Sequence, residues 1–92
     1  MLKLPALPER VTHEQAQASL AQCESALAGA QAGEVAVVDA SALQEFDSSV
    51  LAVLLAIRRA ALARQVTLQV SGLPTRLREL ATLYGVGELL PG

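Results

Sequence analysis

The sequence predicts a small α/β domain, and three observations carry that reading. Residues 34–38 make a short run that is apolar on both faces. Residues 66–70 alternate apolar and polar. Between them lies a helix-length apolar stretch that opens on Asp47-Ser48-Ser49. Strand, helix and strand over residues 34–70 form a βαβ unit, whose crossover is expected to be right-handed. No repeat, linker or low-complexity tail interrupts the chain, so residues 1–92 are read as a single domain.

Taken in order, Leu2-Lys3-Leu4 alternates like a short strand, and Pro5 and Pro8 end it. Val11 to Gln15 reads as a helix start, with Thr12 as cap and Gln15 three residues on, the spacing of a capping box. Ala16, Leu20, Cys23 and Leu27 then recur at helical spacing, which turns one face inward, and Gly29 to Gly33 ends the helix. The strand Glu34 to Val38 has apolar residues on both sides, Val35/Val37 and Ala36/Val38, as an interior strand of a covered or parallel sheet does. Ala40 to Phe46 is a loop, followed by a helix from about Ser48 to Gln65. In the strand Val66 to Val70, Val66, Leu68 and Val70 point in while Thr67 and Gln69 point out, so one of its faces lies near solvent. Ser71-Gly72 turns the chain, and Pro74 suits the first turn of a helix. Leu77, Leu80, Ala81 and Tyr84 are expected to line that helix's inner face, with Gly85 as its stop. Val86 and Leu89-Leu90 are expected to tuck back before Pro91.

Composition narrows the function classes. A hydrophobic fraction of 52% excludes a disordered chain and indicates more apolar surface than a monomer of 92 residues hides easily. Phe46 and Tyr84 are the only aromatics, so no platform for stacked bases exists, and a net charge of −2 gives no attraction for nucleic acid or an anionic membrane. Cys23 is the sole cysteine, which leaves no internal disulfide and no thiolate cluster. The opening residues lack a basic region followed by an apolar run of about 7–15 residues, so the expected location is the cytoplasm. The longest apolar run, Val50 to Ile57, is far short of the roughly 18–20 residues that span a bilayer, so no membrane insertion is expected.

The central helix is the most informative element. At about 100° per residue, Val50, Leu51, Val53, Leu54, Leu55, Ile57 and Leu62 cover an arc of roughly 200°, twice the stripe a surface helix needs. Charge returns only at Arg58, Arg59 and Arg64. The surplus is buried either by loops and terminal helices or by a partner protein. Asp47 and Ser48 are both ordinary N-cap residues. A phosphate on Ser48 would meet the positive helix end yet sit beside Asp47 and Glu45, which makes it a disruptive switch for an apolar docking surface.

Other chemistry finds little support. His13 is the only histidine, expected to be exposed, and no Cys-x-x-Cys or His-x-x-x-His spacing exists for a metal. Cys23 falls on an apolar face and reads as a small buried hydrophobe. Ser48, His13 and Asp39 make a triad only on paper, because no Gly-x-Ser-x-Gly elbow or glycine-rich oxyanion loop accompanies them. Glu45 and Asp47 read as loop and cap, since nothing nearby would raise either pKa. Arg76, Arg78 and Glu79 form a solvated helix face or the polar rim of an apolar patch.

The order strand, polar loop, Asp-Ser-Ser, apolar helix, amphipathic strand and last helix resembles the STAS domain (sulfate transporter and anti-sigma factor antagonist) over Val35 to Leu90. The stretch Val66-Thr67-Leu68-Gln69, then Leu77, Leu80-Ala81, Leu83-Tyr84 and Leu89-Leu90-Pro91 narrows the likeness to the MlaB branch of that family. Its members are small cytoplasmic STAS subunits of a phospholipid-transport ABC complex that maintains outer-membrane lipid asymmetry. The resemblance implies a small mixed β-sheet of roughly four or five strands with helices packed mainly on one face. It implies a non-enzymatic subunit, without cofactor, that stabilises or activates the complex's ATPase and reaches the permease through it. The implied partner-binding position is Ser48, with Asp47, Ser49, Val50, Leu51 and Leu54 around it. In anti-sigma factor antagonists the matching hydroxyl is the phosphoacceptor, so a phosphorylation-switched antagonist is the alternative. Val50 stands where antagonists usually carry Gly, which bulks up the helix start and weakens that version. Leu2–Leu4 is expected to supply one strand, with the family's usual opening hairpin expected to be incomplete, and homodimerisation of the free domain stays open.

Overall fold

The structure, a computed structural model, describes residues 1–89. In chain order the elements are β1 (Leu2–Lys3), β2 (Arg10–Val11), α1 (His13–Leu27), β3 (Val35–Asp39), β4 (Glu45–Phe46), α2 (Ser49–Ala63), β5 (Thr67–Ser71), α3 (Thr75–Leu83) and a 3-10 turn at Gly87–Leu89. β3 is central and pairs in parallel with β1 on one side and β5 on the other. A second, two-stranded parallel pair joins β2 to β4, where Arg10 Nε meets Glu45 Oε2 at 2.9 Å on the surface. Among the described residues every strand pairing is parallel, so the expected mixed sheet is corrected. The opening segment does not turn back on itself: the N–H groups of Leu4 and Leu7 bond to Val37 O and Asp39 O, each at 2.9 Å, so residues 2–7 run on beside β3 in the same direction.

Register explains which side of the sheet the helices cover. Leu2, Ala36 and Leu68 share one row, and Lys3, Val37 and Gln69 share the next. Strand side chains alternate between faces, so the first row and its equivalents Val38 and Val70 face the helices. The second row faces solvent, with Val35 and Val37 half-buried among polar neighbours. The helices lie on one face, as the resemblance implied. The doubly apolar β3 is therefore not covered on both sides within this chain, contrary to the simplest reading of its composition.

Each helix has a local cause. Thr12 donates both its N–H and its hydroxyl to Gln15 Oε1, at 3.0 and 2.7 Å, and this closes the start of α1. α2 ends where Gln65 takes a left-handed φ of 60°. The N–H groups of Gln65 and Val66 then bond back to Leu62 and Ala61 at 3.0 and 2.8 Å, a Schellman ending. α3 ends the same way at Gly85 (φ 74°), with Gly85 N–H on Thr82 O and Val86 N–H on Ala81 O. The sequence marked Gly85 but not Gln65, which lacks the usual glycine. Pro74 sits just before α3 as its N-cap.

The core holds Leu27, Val38, Ile57, Val70, Leu77 and Ala81, and Cys23 is buried as expected. Tyr84 is a correction: it is 59% exposed, because α3 ends at Leu83 and Tyr84, at the C-cap, leaves the inward line that Leu77 and Ala81 occupy. Val86 packs against the core, Leu89 is 39% exposed, and Leu90 and Pro91 lie outside the described residues.

Candidate functional site

The first turn of α2 separates two tasks that its sequence leaves merged. Ser48 precedes the helix with φ −63° and ψ −13°, already helical values. A capping hydroxyl needs an extended backbone to turn back on the N2 and N3 amides, so Ser48 makes no capping bond. Asp47 does the capping instead: its Oδ1 accepts the Ser49 N–H at 2.8 Å. The Ser49 N–H and hydroxyl hold the Asp47 carboxyl below the usual carboxylate range. Slight desolvation opposes them, and the His13 N–H and imidazole add to the lowering. Asp47 thus ties the start of α2 to the start of α1. The Ser48 hydroxyl is left exposed, without a hydrogen bond among the described residues.

Burial corrects two of the neighbouring positions. Val50 and Leu54 are 0% exposed and are core residues, not surface, whereas Leu51, 4% exposed, is a core residue that also lines the groove described below. α2 rests on the sheet and is flanked by α1 on one side and by the end of α3 on the other. Val53 lies in the crevice with α1, and Leu51 lines the crevice with Tyr84 and Val86. A helix with neighbours on three sides needs an apolar arc of about 200°, which is why the width of that arc did not signal a free surface.

What α2 does expose is different. Ala52 is open, Leu55 and Ala56 are half-buried, Arg59 is open, and Leu62 is 51% exposed. Beside Ser48 a groove of about 280 Å³ is lined by Ser48, Leu51, Ala52, Leu55, Tyr84 and Val86. Separately, Arg76 in the first turn of α3 places its Cζ 5.0 Å from the centre of the Phe46 ring. On the other flank of α2 a wider crevice of about 490 Å³ runs between α1 and α2, with His13 and Ser49 at its mouth. The sequence reading missed Leu55, Tyr84 and Val86. Leu55 was in principle available, since Ser48, Leu51, Ala52 and Leu55 recur at helical spacing.

The remaining candidates are dispersed. His13 is exposed as expected and sits near Asp47, but Asp39 is elsewhere, engaged with the Ser41 hydroxyl and N–H (2.9 Å), which lower its pKa. Among the described residues no group of three His, Cys, Asp or Glu side chains is placed to hold a metal ion, and no helix is long and apolar enough to cross a membrane. Burial pushes the Cys23 thiol up to about 11, so it is no nucleophile near neutral pH.

Compared with known families, residues 6–91 match the family model described as Mlab, STAS domain. Among curated proteins no significant match was found.

Proposed function

The chain belongs to the STAS domain family of the Mlab type, and from that premise we propose that it is a non-enzymatic cytoplasmic subunit that docks on the ATPase of a phospholipid-transporting ABC complex. The observation that carries this reading is the Ser48 hydroxyl, freed from capping by Asp47 and standing at the lip of an apolar groove walled by Leu55 and Tyr84. A polar group on the edge of an open apolar concavity suits recognition of another protein surface. The partner's identity comes from family membership. In this reading the domain stabilises the ATPase and supplies no reacting group of its own.

The test is co-purification of the ABC ATPase encoded in the same genome. Wild-type protein is expected to retain it, and Ser48→Arg, which fills the groove mouth with a charged chain, is expected to lose it. Retention by the folded variant would remove the reading.

A second reading keeps its place because the Ser48 hydroxyl is open to a kinase. An anti-sigma factor antagonist would gain one phosphate at Ser48 when incubated with a cognate anti-sigma kinase and ATP, as measured by intact mass. No gain removes that reading.

A further inference from the structure

The groove beside Ser48 continues into a longer feature that the docking proposal leaves unused. At about 100° per residue, Ser48, Leu51, Leu55, Arg58 and Leu62 fall on one line of α2, spread over roughly 21 Å of helix axis. The upper part of that line is roofed by Tyr84 and Val86 to make the groove. Beyond the end of α3 the lower part emerges, with Arg58 half-buried and Leu62 half exposed. An apolar concavity and an apolar knob, about three turns apart with a cation between them, make a template for an extended apolar ridge with an anion at its middle.

Charge decides what the ridge carries. α2 and its C-cap hold Arg58, Arg59 and Arg64 and no acidic residue. Among the described residues none of the three has a carboxylate partner, whereas Arg10, on β2, pairs with Glu45. The C-terminal dipole of α2 absorbs part of this charge, but Arg58, half-buried, belongs to the line itself. A second copy of this chain is disfavoured as occupant. Antiparallel docking that seats Leu62 in the other copy's groove places the two-fold axis near Ile57. Arg58 and Arg59 of both copies then crowd together with no carboxylate between them.

We infer that the docking partner presents an acid-rich amphipathic helix of about three to four turns along α2. One of its apolar residues enters the Ser48 groove, another covers Leu62, and its carboxylates pair with Arg58 and Arg59. This rests on the docking reading above and names the chemistry of the partner's contact element. Association is consequently steered by charge and weakens with salt.

The experiment measures the affinity of the purified full chain for the cognate ATPase at 50, 150 and 500 mM NaCl. The proteins compared are wild type, Ser48→Arg, the double variant Arg58→Glu/Arg59→Glu, and Leu62→Asp, each first shown to melt like wild type. Expected are a wild-type affinity that falls with salt, a loss of more than tenfold for the double variant with its salt dependence reversed or abolished, and a smaller loss for Leu62→Asp. If Ser48→Arg abolishes binding while the arginine and leucine variants match wild type, the acidic helix is wrong and the docking reading stands. If no protein binds the ATPase, both fall. If the free chain sediments as a dimer that Leu62→Asp dissociates, the occupant is a second copy and the inference is overturned.

Discussion

The carboxylate of Asp47 accepts the N–H of Ser49 at 2.8 Å, across a Ser48 whose own hydroxyl takes no part. One acidic side chain therefore starts α2, and its neighbour is released for the surface. Capping and recognition, adjacent in sequence, are separable by substitution.

Asp47→Ala is expected to lower the melting temperature, whereas Asp47→Asn, which keeps a capping oxygen, restores most of it. Ser48→Ala is expected to melt within a degree or two of wild type, in line with surface changes of about 0.5 kcal/mol or less. Thermal denaturation followed by circular dichroism distinguishes these. A Ser48→Ala variant as unstable as Asp47→Ala would mean that the hydroxyl caps after all.

Acid sensitivity follows from the same contact. The folded Asp47 and Asp39 carboxyls are held below their unfolded values by hydrogen bonds to Ser49 and Ser41. Their contribution is present above the unfolded pKa of about 3.9 and is lost as the pH falls through the lower folded value. Urea midpoints are expected to be flat from pH 7 to 5 with respect to these groups and to drop below pH 4. The drop should be smaller in Asp47→Asn.

Leu54→Ala is expected to cost about 2–5 kcal/mol, a large share of the stability of a domain this size, because the residue has no exposed surface. Leu55→Ala, one position on, is expected to cost about 1 kcal/mol and to weaken partner binding without unfolding. Denaturant curves of the two variants provide the comparison.

At two positive-φ positions, one after α2 and one in the turn after β5, the backbone predicts opposite signs. Gln65→Gly relieves a left-handed side-chain residue at φ 60° and is expected to stabilise by about 1 kcal/mol. Gly72→Ala forces a Cβ to within 2.6 Å of Ser41 Cβ at φ 68° and is expected to destabilise by about 2 kcal/mol or more. Paired melts of the two variants against wild type would show whether the signs differ.

Cys23 gives a chemical check on burial. With its pKa at about 11 it should resist alkylation by iodoacetamide at pH 8 in the folded protein and react at once in urea. Because burial favours the neutral thiol, its stabilising share persists below the unfolded value of about 8.5–9 and is lost between there and about 11.

Much of the architecture was legible because its signals are local. Thr12 and Gln15 announced α1, Gly85 ended α3, and the alternation of residues 66–70 put Leu68 and Val70 inside. The surroundings of α2 were not legible. Its broad apolar arc looked unsatisfied, yet α1, the sheet and the end of α3 consume it, and which neighbours a helix acquires is a tertiary fact that periodicity does not contain. Similarly, Ser48 and Asp47 were interchangeable caps on paper until the backbone angles of Ser48 excluded it. Tyr84 was read as an inward residue because its spacing continued a stripe past the point where the core ended.

The bare side of the sheet has a practical use. Lys3, Val37 and Gln69 lie in one row behind the strands, with the whole sheet between them and α2. A cysteine placed at Gln69 would be the accessible thiol of a chain whose own Cys23 is shielded. A dye or biosensor chip tethered there leaves the opposite, helical surface pointing into solution for kinetic measurements.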